Sequence, residues 1–366
     1  MTTAVSEADR AGYLALVGQG AQAPAVDFAL ALAERGVPPR DVLLDLVAPT
    51  QAAIGDLWAR NEWSVAQEHA ATHVSEHVVA ALAAHHRPGA AERGILVVAC
   101  VDGEWHALPA RLFAEVVRWD GWDVRFLGAS VPGPHLISYL HRHGPDVVAV
   151  SCSVPTRLAA AHRVIEAAQS TATPVLAGGR GFGPAARWGR TLGADRVAGD
   201  AREALGVLRS WPGLSLAESE PRRESFVSDD EHVLIAKRGP QLVASGMEAL
   251  AERFPVVGRY TPAQREATEF DLGQIVEFLC AGLLVDDPEL FGTFLDWLCV
   301  VLGTRRVPLP TVDLVLDVYQ QQLYDFPGRG RTWPPGTAGW PAEARAPLRR
   351  LLQRPHLDDP VRDGAG

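Results

Sequence analysis

The sequence predicts an α/β domain with a doubly wound parallel sheet, set between two all-α segments. Short apolar runs alternate with helical patterns between residues 91 and 213, as repeated βαβ units require. Residues 7–90 and 231–325 instead place apolar side chains three and four apart, the helical period. The stretch 214–230 is polar, charged and without periodicity, and reads as a linker. These boundaries give five parts: 1–90, 91–213, 214–230, 231–325 and a tail, 326–366, rich in Pro, Gly and Arg.

In the first part, Pro24 to Arg35 and Asp41 to Leu57 carry helical apolar spacing, separated by the break Gly36-Val37-Pro38-Pro39. Pro24 suits a first turn, and Pro49 is placed to kink the following helix. A short loop at Asn61 to Ser64 leads into a long helix from Val65 to His85. Four helices with short connections predict an antiparallel bundle.

In the middle part, strands are predicted at 94–100, 122–127, 146–151, 173–177 and 194–198, with helices near 110–119, 133–143, 156–170, 183–192 and 202–210. The strand ends would gather His106, Ala129, Ser151 and Gly178 at one edge, where open α/β sheets bind ligands. His106 is a candidate metal ligand, and Glu104, two residues earlier, is placed to hold its other ring nitrogen. The competing reading is a solvated loop histidine. Gly178-Gly179-Arg180-Gly181-Phe182-Gly183 has the look of a dinucleotide fingerprint. It follows the fourth strand, however, and no acidic residue ends a later strand where ribose recognition needs one. The glycines fit better as a wall that a bulky ligand approaches closely.

Helices are predicted in the fourth part at 231–237, 240–252, 261–284, 288–302 and 310–325, punctuated by Pro255, Pro262, Pro288, Pro308 and Pro310. No nucleophile–base pair or metal spacing appears there. A helical core of this size can hold a planar pigment.

Composition narrows the functional classes. A net charge of −10, with no basic run, gives no sign of nucleic-acid binding. No apolar stretch reaches transmembrane length and Met1-Thr2-Thr3 starts no signal peptide, so a cytoplasmic protein without membrane contact is expected. Cys100, Cys152, Cys280 and Cys299 lack metal or disulfide spacing and read as buried small residues.

Forty-one residues separate Pro109 from Ser151-Cys152-Ser153, and 24 more lie before Gly178-Gly179. Glu104-x-His106, then Ser151-x-Ser153, then Gly178-Gly179 resembles the pattern of cobalamin-binding domains, Asp-x-His-x-x-Gly, Ser-x-Leu and Gly-Gly. The resemblance implies a flavodoxin-like sheet, His106 as lower ligand of cobalt, and Ser151, Ser153, Gly178 and Gly179 around the nucleotide tail. The chain departs from the pattern at Glu104 for Asp, Pro109 for Gly and Ser153 for Leu.

Trp58, nine intervening residues, then Glu68-His69 resembles the Trp-x9-Glu-His signature of CarH-type light sensors. In that family the N-terminal four-helix bundle caps the upper face of adenosylcobalamin. Trp58, Glu68 and His69 would then shield the adenosyl group, whereas the residue reading of Trp58 alone is a core side chain. Ala59 stands where that family has a second cobalt-binding His. His69, His73 and His77 share one helical face, and His73 or His69 is the candidate substitute, against surface residues or a zinc stripe.

The domain order further resembles the photocobilins, in which a globin-like C-terminal domain binds biliverdin. Arg253, Tyr260 and Trp297 are the candidate bilin contacts, with Arg259, Arg265 and His232 as further possibilities and Cys280 or Cys299 as thioether candidates. The implied function is a non-enzymatic photoreceptor. Light releases the adenosyl group, the bundle shifts, and homo-oligomerisation changes, with a downstream signalling protein as partner. The alternatives are a corrinoid protein carrying methyl groups in a methyltransferase system and a cobalamin-only sensor.

Overall fold

Five parallel strands form the centre of the first part of the chain: β1 (Ile95–Cys100), β2 (Asp123–Gly128), β3 (Val147–Ser151), β4 (Val175–Gly178) and β5 (Arg196–Ala198). The computed structural model describes residues 4–211 and 231–324 and divides into two units, Met1–Val227 and Ser228–Gly366. The predicted linker, 214–230, and the predicted tail, 326–366, lie outside the described residues. In β1 and β3, runs of Val, Leu and Ala are buried on both faces, as expected where helices cover both sides of a sheet. The order is β2-β1-β3-β4-β5. The chain therefore reverses direction across the sheet between β1 and β3, and the switch point that binds ligands in such folds lies there.

The first unit opens with α1 (Glu7–Gly18) and α2 (Gln22–Glu34). Next come α3 (Pro39–Val42), a π turn (Leu43–Val47) and α4 (Ala48–Ala59), followed by α5 (Val65–His85). The kink expected from Pro49 takes the form of that π turn, in which the Ala48 N–H reaches the Leu43 carbonyl. Pro49 has no N–H for the Asp45 carbonyl four residues back, and Arg10 Nη1 donates to that oxygen at 3.2 Å. Capping boxes at Ser6 and Ser64 start α1 and α5, each satisfying two otherwise unpaired groups.

The sheet is flanked by α6 (Ala107–Trp119), α7 (Gly133–His143), α8 (Leu158–Ser170), α9 (Arg187–Thr191) and α10 (Ala201–Ser210). Helix α6 starts three residues earlier than predicted, so Pro109 occupies its third position. No hydrogen bond is lost there, because the first N–H groups of a helix have no internal acceptor. The helical segments and the sheet share one core, in which Leu43, Leu46 and Val47 join Leu108, Leu112, Val116 and Leu205. Arg202 of α10 adds polar ties to Asp41 (3.2 Å) and Asp45 (2.8 Å).

The second unit contains α11 (Glu231–Arg253), α12 (Pro262–Val285), α13 (Pro288–Thr304) and α14 (Pro310–Tyr324). The two helices expected at 231–237 and 240–252 are one, running through Pro240. Its buried positions Ile235, Leu242, Met247 and Leu250 lie on both sides of the proline, so packing outweighs the one backbone bond that Pro240 removes. The described residues of this unit hold four long helices, where a globin has eight. No helix among the described residues is long and apolar enough to cross a membrane.

Inside the bundle, fully buried Tyr13 donates to Ser75 Oγ at 3.1 Å. Replacing it, Tyr13→Phe, is expected to cost about 1 kcal/mol, read as a fall of roughly 2–4 °C in thermal midpoint. An unchanged midpoint would show that the hydroxyl is not held in the folded chain.

Candidate functional site

The loop after β1 carries a buried carboxylate with four donors. Glu104 is 1% exposed. Its Oε1 accepts from the His106 backbone N–H (2.9 Å) and from His106 Nδ1 (2.6 Å). Its Oε2 accepts from the N–H groups of Ser153 (2.6 Å) and Val154 (3.2 Å), in the loop after β3. One side chain thus joins the two loops that flank the topological switch point. Ser130, after β2, completes the set: its N–H donates to the Glu104 carbonyl, and its hydroxyl accepts from Gly103 N–H.

Burial pushes the Glu104 carboxyl up, but the hydrogen bonds from His106 and Ser153 outweigh it and leave it below its ordinary range. His106 is raised, first by its hydrogen bond to Glu104, against desolvation, and further by the charges of Glu104 and Glu68. The Nδ1 bond fixes the ring's orientation and leaves Nε2 as the ligating nitrogen of the neutral form. The His106 side chain is 65% exposed, so that nitrogen is open to a ligand.

The hydroxyls of Ser151 and Ser153 have no hydrogen-bond partner among the described residues. Gly178 and Gly179 follow β4 beside them, and the Gly178 carbonyl accepts from Cys152 N–H at 3.1 Å. The close approach at these glycines is made by the chain itself. Gly179 has φ +111°, and a Cβ there would stand 2.4 Å from the Cys152 carbonyl oxygen. A Cβ on Gly178 would stand 3.3 Å from the Ala198 carbonyl.

From the bundle, Glu68 acts electrostatically on His106, which places the start of α5 near this loop. Glu68 Oε2 pairs with His69 Nδ1, and Oε1 accepts from Thr72 Oγ1 at 2.9 Å. The single Thr72 hydroxyl proton is shared between that oxygen and Gln51 Oε1, which lies 3.0 Å away, and Gln51 donates to Ser75 (2.7 Å), the partner of Tyr13. Trp58 is half-buried near the end of α4 and engaged with neighbouring groups. His73 is exposed, 3.8 Å from Glu76 and edge-on to His77. Among the described residues no group of three His, Cys, Asp or Glu side chains is arranged to hold a metal ion.

The candidate bilin contacts are spread out. Arg253 is exposed at the end of α11, and Tyr260 packs against the second core just before α12. Trp297, 43% exposed, lies 6.2 Å from the Phe294 ring, which stacks on Phe278. The two-residue connection Asp286-Asp287 turns α13 back along α12 with Phe294 beside Phe278, so Trp297 lies on the order of 20 Å along the pair from Tyr260 at 1.5 Å per residue. Burial pushes the thiols of Cys280 and Cys299 up to about 12, which keeps them protonated and weakly nucleophilic.

Sequence reasoning gave no role to Ser130, Arg157 or Arg180, although it set their neighbours Ala129, Ser151 and Gly178 at this edge. It also gave no role to Trp105, 75% exposed beside His106.

Comparison with known families agrees with this geometry. Residues 94–209 match the B12 binding domain, and residues 3–83 match a second B12 binding domain. These matches support a cobalamin-binding protein. No curated protein matches the sequence. Among solved structures, the chain is similar to the monomethylamine corrinoid protein of Methanosarcina barkeri, with TM-score 0.50 and 17% identity over 56% of this chain and 98% of that one. A cobalamin-binding protein from Desulfitobacterium hafniense DCB-2 also aligns, at TM-score 0.31 and 15% identity over 55% of this chain and 98% of that one. At these identities the likeness to the first speaks to the fold alone.

The residues present fit a cobalamin: an oriented imidazole with one open nitrogen, at the switch point, beside two hydroxyls without partners. Glu104→Ala would strip four donors of their acceptor and is expected to cost about 2–4 kcal/mol. The pH dependence of the unliganded protein tests the charge account. The raised His106 contributes fully below its ordinary 6.5 and loses that contribution as pH rises through its folded value. The lowered Glu104 contributes above its ordinary 4.5 and loses its contribution as pH falls through its folded value. The stability gap between wild type and Glu104→Gln is therefore expected to be widest between about pH 4.5 and 6.5, measured by urea unfolding. A gap independent of pH would show that the pair is not ionised.

Proposed function

We propose that residues 4–211 bind cobalamin with His106 as lower ligand of cobalt. The observation that carries this is the buried Glu104 carboxylate on Nδ1, with Nε2 open at the switch point. Ser151, Ser153, Gly178 and Gly179 would border the nucleotide tail. Trp58, Glu68 and His69 would face the upper side, with His73 further along the same helix. When bound, the cofactor would supply a reactive cobalt–carbon bond, used either for methyl transfer or for a response to light.

Comparison with solved structures favours methyl carriage. The chain spans nearly all of a protein named as a monomethylamine corrinoid protein, and on this reading it would serve a methyltransferase system without being the enzyme itself. A second reading, light sensing through adenosylcobalamin, is favoured by residues at the end of α4 and the start of α5. A half-buried Trp58 and the Glu68–His69 pair suit a ligand bulkier than methyl, since a carboxylate accepts from ribose hydroxyls and a large ring fills space. On that reading the second unit would hold biliverdin through Arg253, Tyr260 and Trp297. The output would be a light-dependent change in self-association that is read by a signalling partner.

One experiment separates the readings: the protein is purified in darkness and its corrinoid extracted and identified. Methylcobalamin would support carriage. Adenosylcobalamin, with a change in elution volume after green light and a red band on adding biliverdin, would support sensing. His106→Ala is expected to leave the bound cofactor without a histidine ligand in its absorption spectrum; a spectrum identical to wild type would rule out the lower-ligand assignment.

A further inference from the structure

Most arginines described in the first unit are neutralised by carboxylates. Arg111 and Arg118 pair with Glu115, Arg125 with Asp123, Arg209 with Asp120, and Arg202 with Asp41 and Asp45. Two at the ligand-binding edge of the sheet are not. Arg157 closes the 3-10 turn Pro155–Arg157, directly after the Ser151-Cys152-Ser153 loop. Arg180 opens the 3-10 turn Arg180–Phe182, directly after Gly178-Gly179. The two turns are in contact. Among the described residues neither guanidinium has an ion pair or hydrogen bond.

The half-buried Arg157 is built into the site. Its side chain lies along Gly103 in the His106 loop, where a Cβ would stand 3.5 Å from Arg157 Cδ and Nε and 3.6 Å from Nη1. Gly103 has φ +76°, a conformation that also favours glycine. Arg157 is the N-terminal cap of the 13-residue helix α8, whose end adds partial positive charge. Glu104, the buried carboxylate nearby, has both oxygens engaged by His106, Ser153 and Val154. The chain as a whole carries −10, so a positive spot left uncompensated at this edge calls for an anion from outside.

We infer that Arg157 and Arg180 receive the phosphodiester of the cobamide's nucleotide tail and so select complete cobalamin over tail-less cobinamide. This rests on the cobalamin reading above. The chemistry is specific: guanidinium forks match phosphate oxygens, and the phosphodiester is the anionic group on a cofactor whose other side arms are neutral amides.

The test uses the full chain freed of corrinoid and titrated with hydroxocobalamin and with cobinamide, followed by absorbance. Wild type is expected to prefer cobalamin. Arg157→Gln and Arg180→Gln are each expected to weaken cobalamin binding about tenfold, the scale of one charge-assisted hydrogen bond, with cobinamide affinity unchanged. Arg180 is exposed, so its variant tests the idea without disturbing packing. Equal weakening of both ligands would reduce Arg157 to a prop for the Gly103 loop and overturn the inference, as would no effect on either. Wild type that binds neither ligand would instead overturn the His106 reading on which the inference stands.

Discussion

Burying a carboxylate is expensive unless its oxygens are satisfied, and Glu104 is satisfied by groups from two loops that the chain order keeps far apart. The donors are His106 on one side and the Ser153 and Val154 N–H groups on the other. The loop after β1 therefore cannot take its observed course unless the loop after β3 is also in place. The same contact orients the imidazole and selects the nitrogen that remains available. Glutamate suits this role: its extra methylene lets one oxygen serve the β1 loop while the other reaches the neighbouring loop.

The upper side depends on a different set of bonds. Thr72 stands between Glu68 and Gln51, its one hydroxyl proton within reach of either, and from Gln51 the bonds continue through Ser75 to Tyr13. These groups link the helix end near His106 to the buried centre of the bundle. Burial pushes the Tyr13 hydroxyl up to about 12, so it stays protonated and keeps its role as donor. A ligand that donates to Glu68 competes with Thr72 for that carboxylate and frees the Thr72 proton for Gln51, inside the helices.

The parallel sheet was legible because strands buried on both faces must read as unbroken apolar runs, and 94–100 and 146–151 do. His106 and Glu104 were legible as a pair because their spacing is local. What was not legible is whatever the strand order decides. Ser130 and Arg180 adjoin Ala129 and Gly179, already expected at this edge, but nothing local gives either a role, and the seat of Arg157 along Gly103 depends on the β3 loop lying beside the β1 loop. The glycine pair was found, but its role was only half read, since the near neighbour of Gly179 is the chain's own Cys152 carbonyl. In the second unit, proline was given too much weight at position 240, because a continuous buried face overrides one missing N–H.

The shared core bears on how either function could operate. Leu43, Leu46 and Val47 of the bundle pack into the same apolar cluster as Leu108, Leu112 and Leu205 around the sheet. Exposing a buried leucine costs about 1.5–3 kcal/mol, so lifting the whole bundle away would cost more than the exposed Arg202 pairs, each worth at most about 1 kcal/mol. Movement is cheaper at the edge formed by the end of α4 and the start of α5. There Trp58 is half-buried, Val65 is 52% exposed and His69 lies in solvent. A methyl carrier would need that edge to open enough for a partner to reach the cofactor, and a sensor would need it to close around a large ligand and relax when the ligand departs. Both demands fall on the same short segment, between a bundle anchored in the common core and a histidine held by a buried carboxylate.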